Sequence, residues 1–184
     1  MDIEDKINID IFKVVTRAIE ESENVDLMAT HLAQLLVGAL EIKGSTIFIL
    51  NPETDEFEIL ASFGMSVNYL NKGPVLAGKS LDFKLRGDPI VIRDVATSDR
   101  LQYLEDAKTE GISGIVSLPI KLSGKIIGML RLYHYEIWDI SEQDLDSLLL
   151  LAEIIGLTMM YSRFLNALQS VKDLVSEIHP IWLG

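Results

Sequence analysis

The sequence predicts an α+β domain built on a central antiparallel sheet, and three observations carry the prediction. Residues 111–133 read as two apolar strands joined by a tight Ser123-Gly124 turn. Residues 45–50 and 57–63, rich in β-branched and aromatic side chains, flank the turn Asn51-Pro52-Glu53-Thr54-Asp55 and read as a second hairpin. Strands and helices are segregated along the chain rather than strictly alternating, which favours an antiparallel sheet over a parallel one.

The elements follow in order. Ile7, Ile11, Val14, Val15, Ala18 and Ile19 recur at helical spacing over 6–23, and Glu20, Glu21, Ser22, Glu23 and Asn24 then interrupt them. Asp26 is the expected N-cap of a second helix with Met28, Leu32, Leu35, Leu36 and Ala39 on one face. That helix is expected to end near Lys43-Gly44, with the glycine as C-cap. The segment 64–87 holds Gly73-Pro74 and Gly78 and predicts a mixed region with a short helix over 80–85. Asp88-Pro89 breaks the chain, Ile90-Val91-Ile92 predicts a short strand, and 103–110 a short helix.

From Ser141 to about Ile178 nothing breaks the final helix, since Gly156 is its single glycine and Pro180 the next proline. The Ser141…Asp144 spacing is that of a capping box. One stripe, Leu145, Leu148, Leu149, Ala152, Ile155 and Met159, has the spacing to cover the sheet. A second reads Leu150, Ile154, Leu157, Tyr161, Phe164, Leu168, Val171, Val175 and Ile178, a heptad sustained for about four repeats. One domain cannot bury both sides of one helix. The expectation is a two-fold homodimer joined through the N- and C-terminal helices. The alternative is that the first helix covers the second stripe within one chain. The domain organisation is then 1–24 as a helix joining the bundle, 25–165 as the domain, and 166–184 as an extension of the last helix.

Composition excludes several function classes. An apolar share of 48% supports a sizeable core without covalent staples. The absence of cysteine removes disulfides, thiol nucleophiles, Cys-ligated zinc, iron–sulfur clusters and thioether-linked chromophores. A formal charge of −12 with scattered Lys and Arg argues against nucleic-acid and anionic-membrane partners. Met1-Asp2-Ile3-Glu4-Asp5 lacks the basic start of a signal peptide, and the most apolar run, 148–160, is short for a membrane span. A cytoplasmic location is expected.

Six segments in sequence resemble a GAF domain over residues 26–165. They are Gly44-Ser45-Thr46-Ile47-Phe48-Ile49-Leu50, Leu60-Ala61-Ser62-Phe63-Gly64-Met65-Ser66, Tyr69-Leu70-Asn71-Lys72-Gly73-Pro74-Val75, Ile92-Arg93-Asp94-Val95-Ala96, Leu118-Pro119-Ile120 and Ile127-Gly128-Met129-Leu130-Arg131-Leu132-Tyr133. The resemblance implies helices packed on one sheet face, loops and short helices over the other, and a small-molecule-sensing role in bacterial signal transduction. Bilin-binding and methionine-sulfoxide-reducing members need cysteine, so those chemistries are not carried over. Cyclic-nucleotide members resemble one another in an Asn-Lys…Phe…Asp-Glu signature. The matching region here, Tyr133 to Asp144, lacks the Asn-Lys pair, which weakens that reading.

Strand alternation places Gly128, Leu130 and Leu132 on one face and Met129, Arg131 and Tyr133 on the other. An arginine in a central strand is costly to bury unpartnered. Two readings stand: an internal ion pair to Asp94 or Asp99, or a solvated edge, and contact with an anionic ligand. A ligand site would add Tyr103, Ser117, Thr46 and Phe48. His31, His134 and His179 are too dispersed for a metal site, and neither metal nor cofactor is expected. Asp94, Asp99, Glu105 and Asp106 lack a nucleophile-and-base partner, and Gly73-Pro74 with Gly78 is no phosphate loop, so no enzyme is expected. The expected trade is a dimeric sensor passing its signal to a separate protein, and the rival is a ligand-free dimerisation or interaction scaffold.

Overall fold

Apolar strands with alternating faces pair as the sequence pattern requires. A computed structural model describes residues 7–22, 24–76, 87–99 and 101–178; the short helix expected over 80–85, and His179, lie outside them. Its strands are β1 (Gly44–Asn51), β2 (Glu56–Phe63), β3 (Val75–Leu76), β4 (Ile90–Ile92), β5 (Gly114–Leu122) and β6 (Lys125–His134). They form one antiparallel sheet in the order β3-β2-β1-β6-β5-β4. Both expected hairpins are present, and β6 lies at the centre between β1 and β5.

One face is covered by α2 (Val25–Leu40) and the long α5 (Glu142–Ile178), with α1 (Ile9–Glu20) packed on α2. Ile47, Val116, Leu118, Ile120, Leu130 and Leu132 of the sheet pack there against Met28, Leu32 and Leu36 of α2 and Leu148, Leu151, Ala152, Ile155 and Met159 of α5. Each fully buried Leu or Ile in that layer contributes about 1.5–3 kcal/mol relative to exposure. The opposite face carries α3 (Val67–Leu70), a 3-10 turn (Val95–Thr97) and α4 (Leu104–Thr109), over smaller clusters around Tyr133 and Phe48.

The ends of α2 differ from expectation. Asn24 is its N-cap, with Oδ1 accepting the Leu27 N–H at 2.9 Å, while Asp26 sits in the first turn, where a carboxylate complements the helix dipole. The helix ends at Leu40, and Glu41 takes the left-handed conformation at φ 54° that the expectation gave to Gly44. Gly44 instead opens β1, where a Cβ would stand 2.9 Å from the Phe63 carbonyl oxygen and closer still to the Met65 side chain. That glycine is kept for close approach rather than for a cap.

The first helix packs on α2 through Ile11, Val15 and Ala18 and does not cover the second stripe of α5. Leu157 and Tyr161 are each 62% exposed, and Leu150, Phe164, Leu168, Val171 and Val175 are exposed with them. By length and composition, residues 142–176 are apolar enough to cross a membrane, a longer stretch than the run 148–160. The first half of that helix is occupied in covering the sheet.

Candidate functional site

The site is built on a polar row across the middle of the sheet. Ser62 of β2 faces Thr46 of β1, Thr46 faces Arg131 of β6, and Arg131 faces Ser117 of β5. Directly opposed residues of antiparallel strands share a face, so the row lies on the side away from α2 and α5. Arg131 Nε donates to Ser117 Oγ at 2.9 Å, and Nη2 reaches the Met129 sulfur at 3.6 Å. The Phe48 ring lies under the guanidinium at 5.8 Å from its centroid. Thr46 Oγ1 is engaged with Ser62 Oγ at 2.8 Å.

A wall over this floor comes from α3 and the turn that follows it. Ser66 Oγ caps α3 by accepting the Tyr69 N–H at 3.2 Å, and the Ser66 backbone N–H donates to Glu110 Oε1 at 2.8 Å. Glu110 follows α4, so one carboxylate joins the two short helices. Tyr69 stands edge-on to Tyr133 with centroids 5.7 Å apart. Lys72 Nζ donates to the Tyr69 carbonyl at 2.9 Å and lies 3.7 Å above the Tyr69 ring centroid. Gly73 has φ +129°, a region that disfavours side chains, and a Cβ there would meet Tyr103 Oη at 2.6 Å. Tyr103 Oη and Gln102 Nε2 both donate to the Pro74 carbonyl at 2.9 Å, fixing the opposite wall.

Floor and walls enclose a cavity of about 330 Å³, at the small end of ligand sites. Tyr69, Lys72, Tyr103, Ser117 and Arg131 line it, together with Val75, Ile90, Ile92, Leu101 and Ile115, with Gln102 and with Asp99. Burial, and next the nearby Arg131 charge, bring the Lys72 ammonium down to about 8. Burial raises the Tyr69 and Tyr133 hydroxyls above the ordinary tyrosine value, while the Arg131 charge pulls both down. Tyr133 Oη is buried close to Thr46 and Arg131 without meeting hydrogen-bond geometry with either.

Of the seven residues expected at the site, Arg131, Ser117 and Tyr103 line the cavity. Thr46, Phe48, Met129 and Tyr133 lie beneath as a buried floor that holds the guanidinium in place. Lys72 and Tyr69 were missed from the sequence, although their i, i+3 spacing just before Gly73-Pro74 is a signal that could have found them. The ion pair to Asp94 or Asp99, one of the readings open for Arg131, is not formed among the described residues. Asp94 caps the 3-10 turn by accepting the Ala96 N–H at 2.8 Å, and Asp99 is exposed at the cavity rim. Arg93, one residue before Asp94, pairs with Asp139. His134 Nδ1 accepts the Glu136 N–H at 3.0 Å and its ring packs against Trp138. Among the described residues no cluster of three His, Asp or Glu is placed to hold a metal.

Three solved structures illustrate the fold's relatives. The GAF domain of a phosphoenolpyruvate-protein phosphotransferase from Coxiella burnetii is 19% identical, with TM-score 0.76 over 86% of this chain and 96% of that one. The corresponding domain from Acinetobacter is 13% identical, with TM-score 0.72 over 86% and 96%. The phycocyanobilin-bound GAF domain of a cyanobacterial phytochrome is 16% identical, with TM-score 0.69 over 86% and 98%. No curated protein matches the chain. A family model described as GAF domain matches residues 19–160, which span both hairpins, the cavity and the sheet-covering half of α5. The chain therefore belongs to the GAF domain family, a family of small-molecule-sensing and signalling domains.

Proposed function

We propose that the protein is a small-molecule sensor that works in bacterial signal transduction as a homodimer in the cytoplasm, without catalysing a reaction. The carrying observation is the cavity, in which Arg131 and Lys72 both face inward and neither pairs with a carboxylate among the described residues. Two like charges in a partly buried space cost free energy that a bound ligand recovers. The homodimer reading is supported by the exposed heptad of α5, because apolar seams of that length are interaction surfaces. A ligand with different affinity for two arrangements of the dimer shifts the terminal helices, and a separate signalling protein reads the change.

Native mass spectrometry followed by a denaturing run on the same sample tests this. A dimer carrying an extra mass that is lost on denaturation supports the sensor. A monomer at micromolar concentration sinks the dimer. The second reading, a ligand-free interaction scaffold, is favoured by the seam itself, which needs no cavity to function. A clean dimer that no small molecule stabilises would put that reading first.

A further inference from the structure

The chemistry of the cavity narrows its ligand. The guanidinium of Arg131 carries five N–H donors, and among the described residues its acceptors are Ser117 Oγ and the weak thioether sulfur of Met129. Its Nε edge is anchored to Ser117, which leaves the Nη groups for a planar acceptor, and a carboxylate matches that fork. Lys72 Nζ spends one donor on the Tyr69 carbonyl and faces the same space. An anion between the two cations removes both their repulsion and the cost of burying them.

Among the described residues, the rest of the lining sets the body of the ligand and its total charge. Val75, Ile90, Ile92, Leu101 and Ile115 are apolar, and Gln102 and Tyr103 are committed to Pro74 and Leu76. At the ~30 Å³ that a water occupies in the liquid, 330 Å³ holds roughly ten non-hydrogen atoms. Asp99 on the rim repels a second negative charge. That selects against dicarboxylates and against phosphate.

We propose that this cavity binds a small monocarboxylic acid with a compact branched or ring-shaped apolar body, its carboxylate held between the Arg131 guanidinium and the Lys72 ammonium. The proposal rests on the sensing function above and adds the class of ligand.

The test is calorimetric titration of the full chain with a panel of monocarboxylates, from butyrate through 3-methylbutanoate to phenylpropionate. Controls are 3-methylbutanamide and inorganic phosphate. The expected result is binding of at least one acid, with its amide about a hundredfold weaker. Arg131→Gln should weaken the acid by about a hundredfold and Lys72→Gln by about tenfold, each with an unchanged circular dichroism spectrum. If Arg131→Gln fails to fold, the Lys72 variant decides. Tightest binding of phosphate, equal binding of the amide, indifference to Lys72→Gln, or no acid bound at about 10 mM each overturns the proposal. An adduct of another class in the native mass spectrum, with no acid bound, overturns the ligand class and leaves the sensing function standing. No adduct and no binding of any probe removes both.

Discussion

The backbone amide of Ile7 donates to the Asp144 carboxylate at 2.8 Å, which ties the start of the first helix to the start of the last. Asp144 is itself in the first turn of α5, where its own N–H donates to Ser141 Oγ at 3.0 Å. One buried carboxylate thus serves the helix dipole and an amide at the opposite end of the sequence. Asp144→Ala leaves the Ile7 amide without this acceptor, and the expected loss is about 1–3 kcal/mol in urea denaturation. An unchanged midpoint would show that the tie contributes nothing.

Gly73 is the second sensitive position. Its φ of +129° and the 2.6 Å from a hypothetical Cβ to Tyr103 Oη combine backbone strain with a clash. Gly73→Ala should cost roughly 1–3 kcal/mol and displace Tyr103 from the Pro74 carbonyl. The tyrosine ring resonances in an NMR spectrum report the displacement. The same variant with Tyr103→Phe should recover part of the loss if the hydroxyl is the obstacle.

Alkaline stability should carry the mark of the cavity. Lys72 titrates at about 8 in the folded chain against an ordinary 10.5, so between those values the unfolded chain holds a proton that the folded one lacks. Stability from this group therefore rises with pH from about 8 toward 10.5. Arg131 acts with burial to lower it, and Asp106 and Glu110 act against them. Tyr69 and Tyr133 work in the opposite sense, since their raised values make the unfolded chain release protons first above the ordinary value of 10. Lys72→Met should remove the rising limb, a difference on the order of 1 kcal/mol after allowing for partial exposure. Denaturant midpoints of both proteins at pH 7.5 and 9.5 check it. Parallel curves would contradict the assignment.

The seam of α5 makes a separable prediction. Leu157 and Phe164 are 62% and 58% exposed in the single chain, so charging them leaves the domain core untouched. Leu157→Glu with Phe164→Glu should turn a dimer into a folded monomer in sedimentation, with thermal unfolding of the sheet-bearing part little changed. A variant that stays dimeric would place the contact elsewhere.

Both strand pairs, the short strand Ile90–Ile92 and the long last helix were legible because each is defined by local periodicity and a nearby turn or cap. The limits of α2 were not. Asn24 and Asp26 are both good cap residues two positions apart, and residue type alone does not distinguish them. At the site, alternation along β6 placed Arg131, Met129 and Tyr133 on the correct face, and their partners on β1 and β5 followed from the register. Which of them line a cavity depends on the covering wall. That wall is made by Tyr69, Lys72 and Tyr103 from separate short segments, brought together by Pro74 and Glu110 through contacts that no periodicity encodes.

Gly156, the one glycine of α5, rests on β5. A Cβ there would meet the Lys121 carbonyl oxygen at 2.9 Å and an Ile120 methyl at 3.0 Å. At that height the helix cannot slide by a turn or roll on its axis without lifting off the strand, because every neighbouring position carries a side chain. A small tilt about this contact is a displacement that keeps Gly156 seated on the strand. The arm from there to the end of α5 is about 33 Å, so a tilt of about 5° sweeps its tip through about 3 Å. A shift of β5 too small to alter the sheet's pairing would be magnified at the far end of the helix.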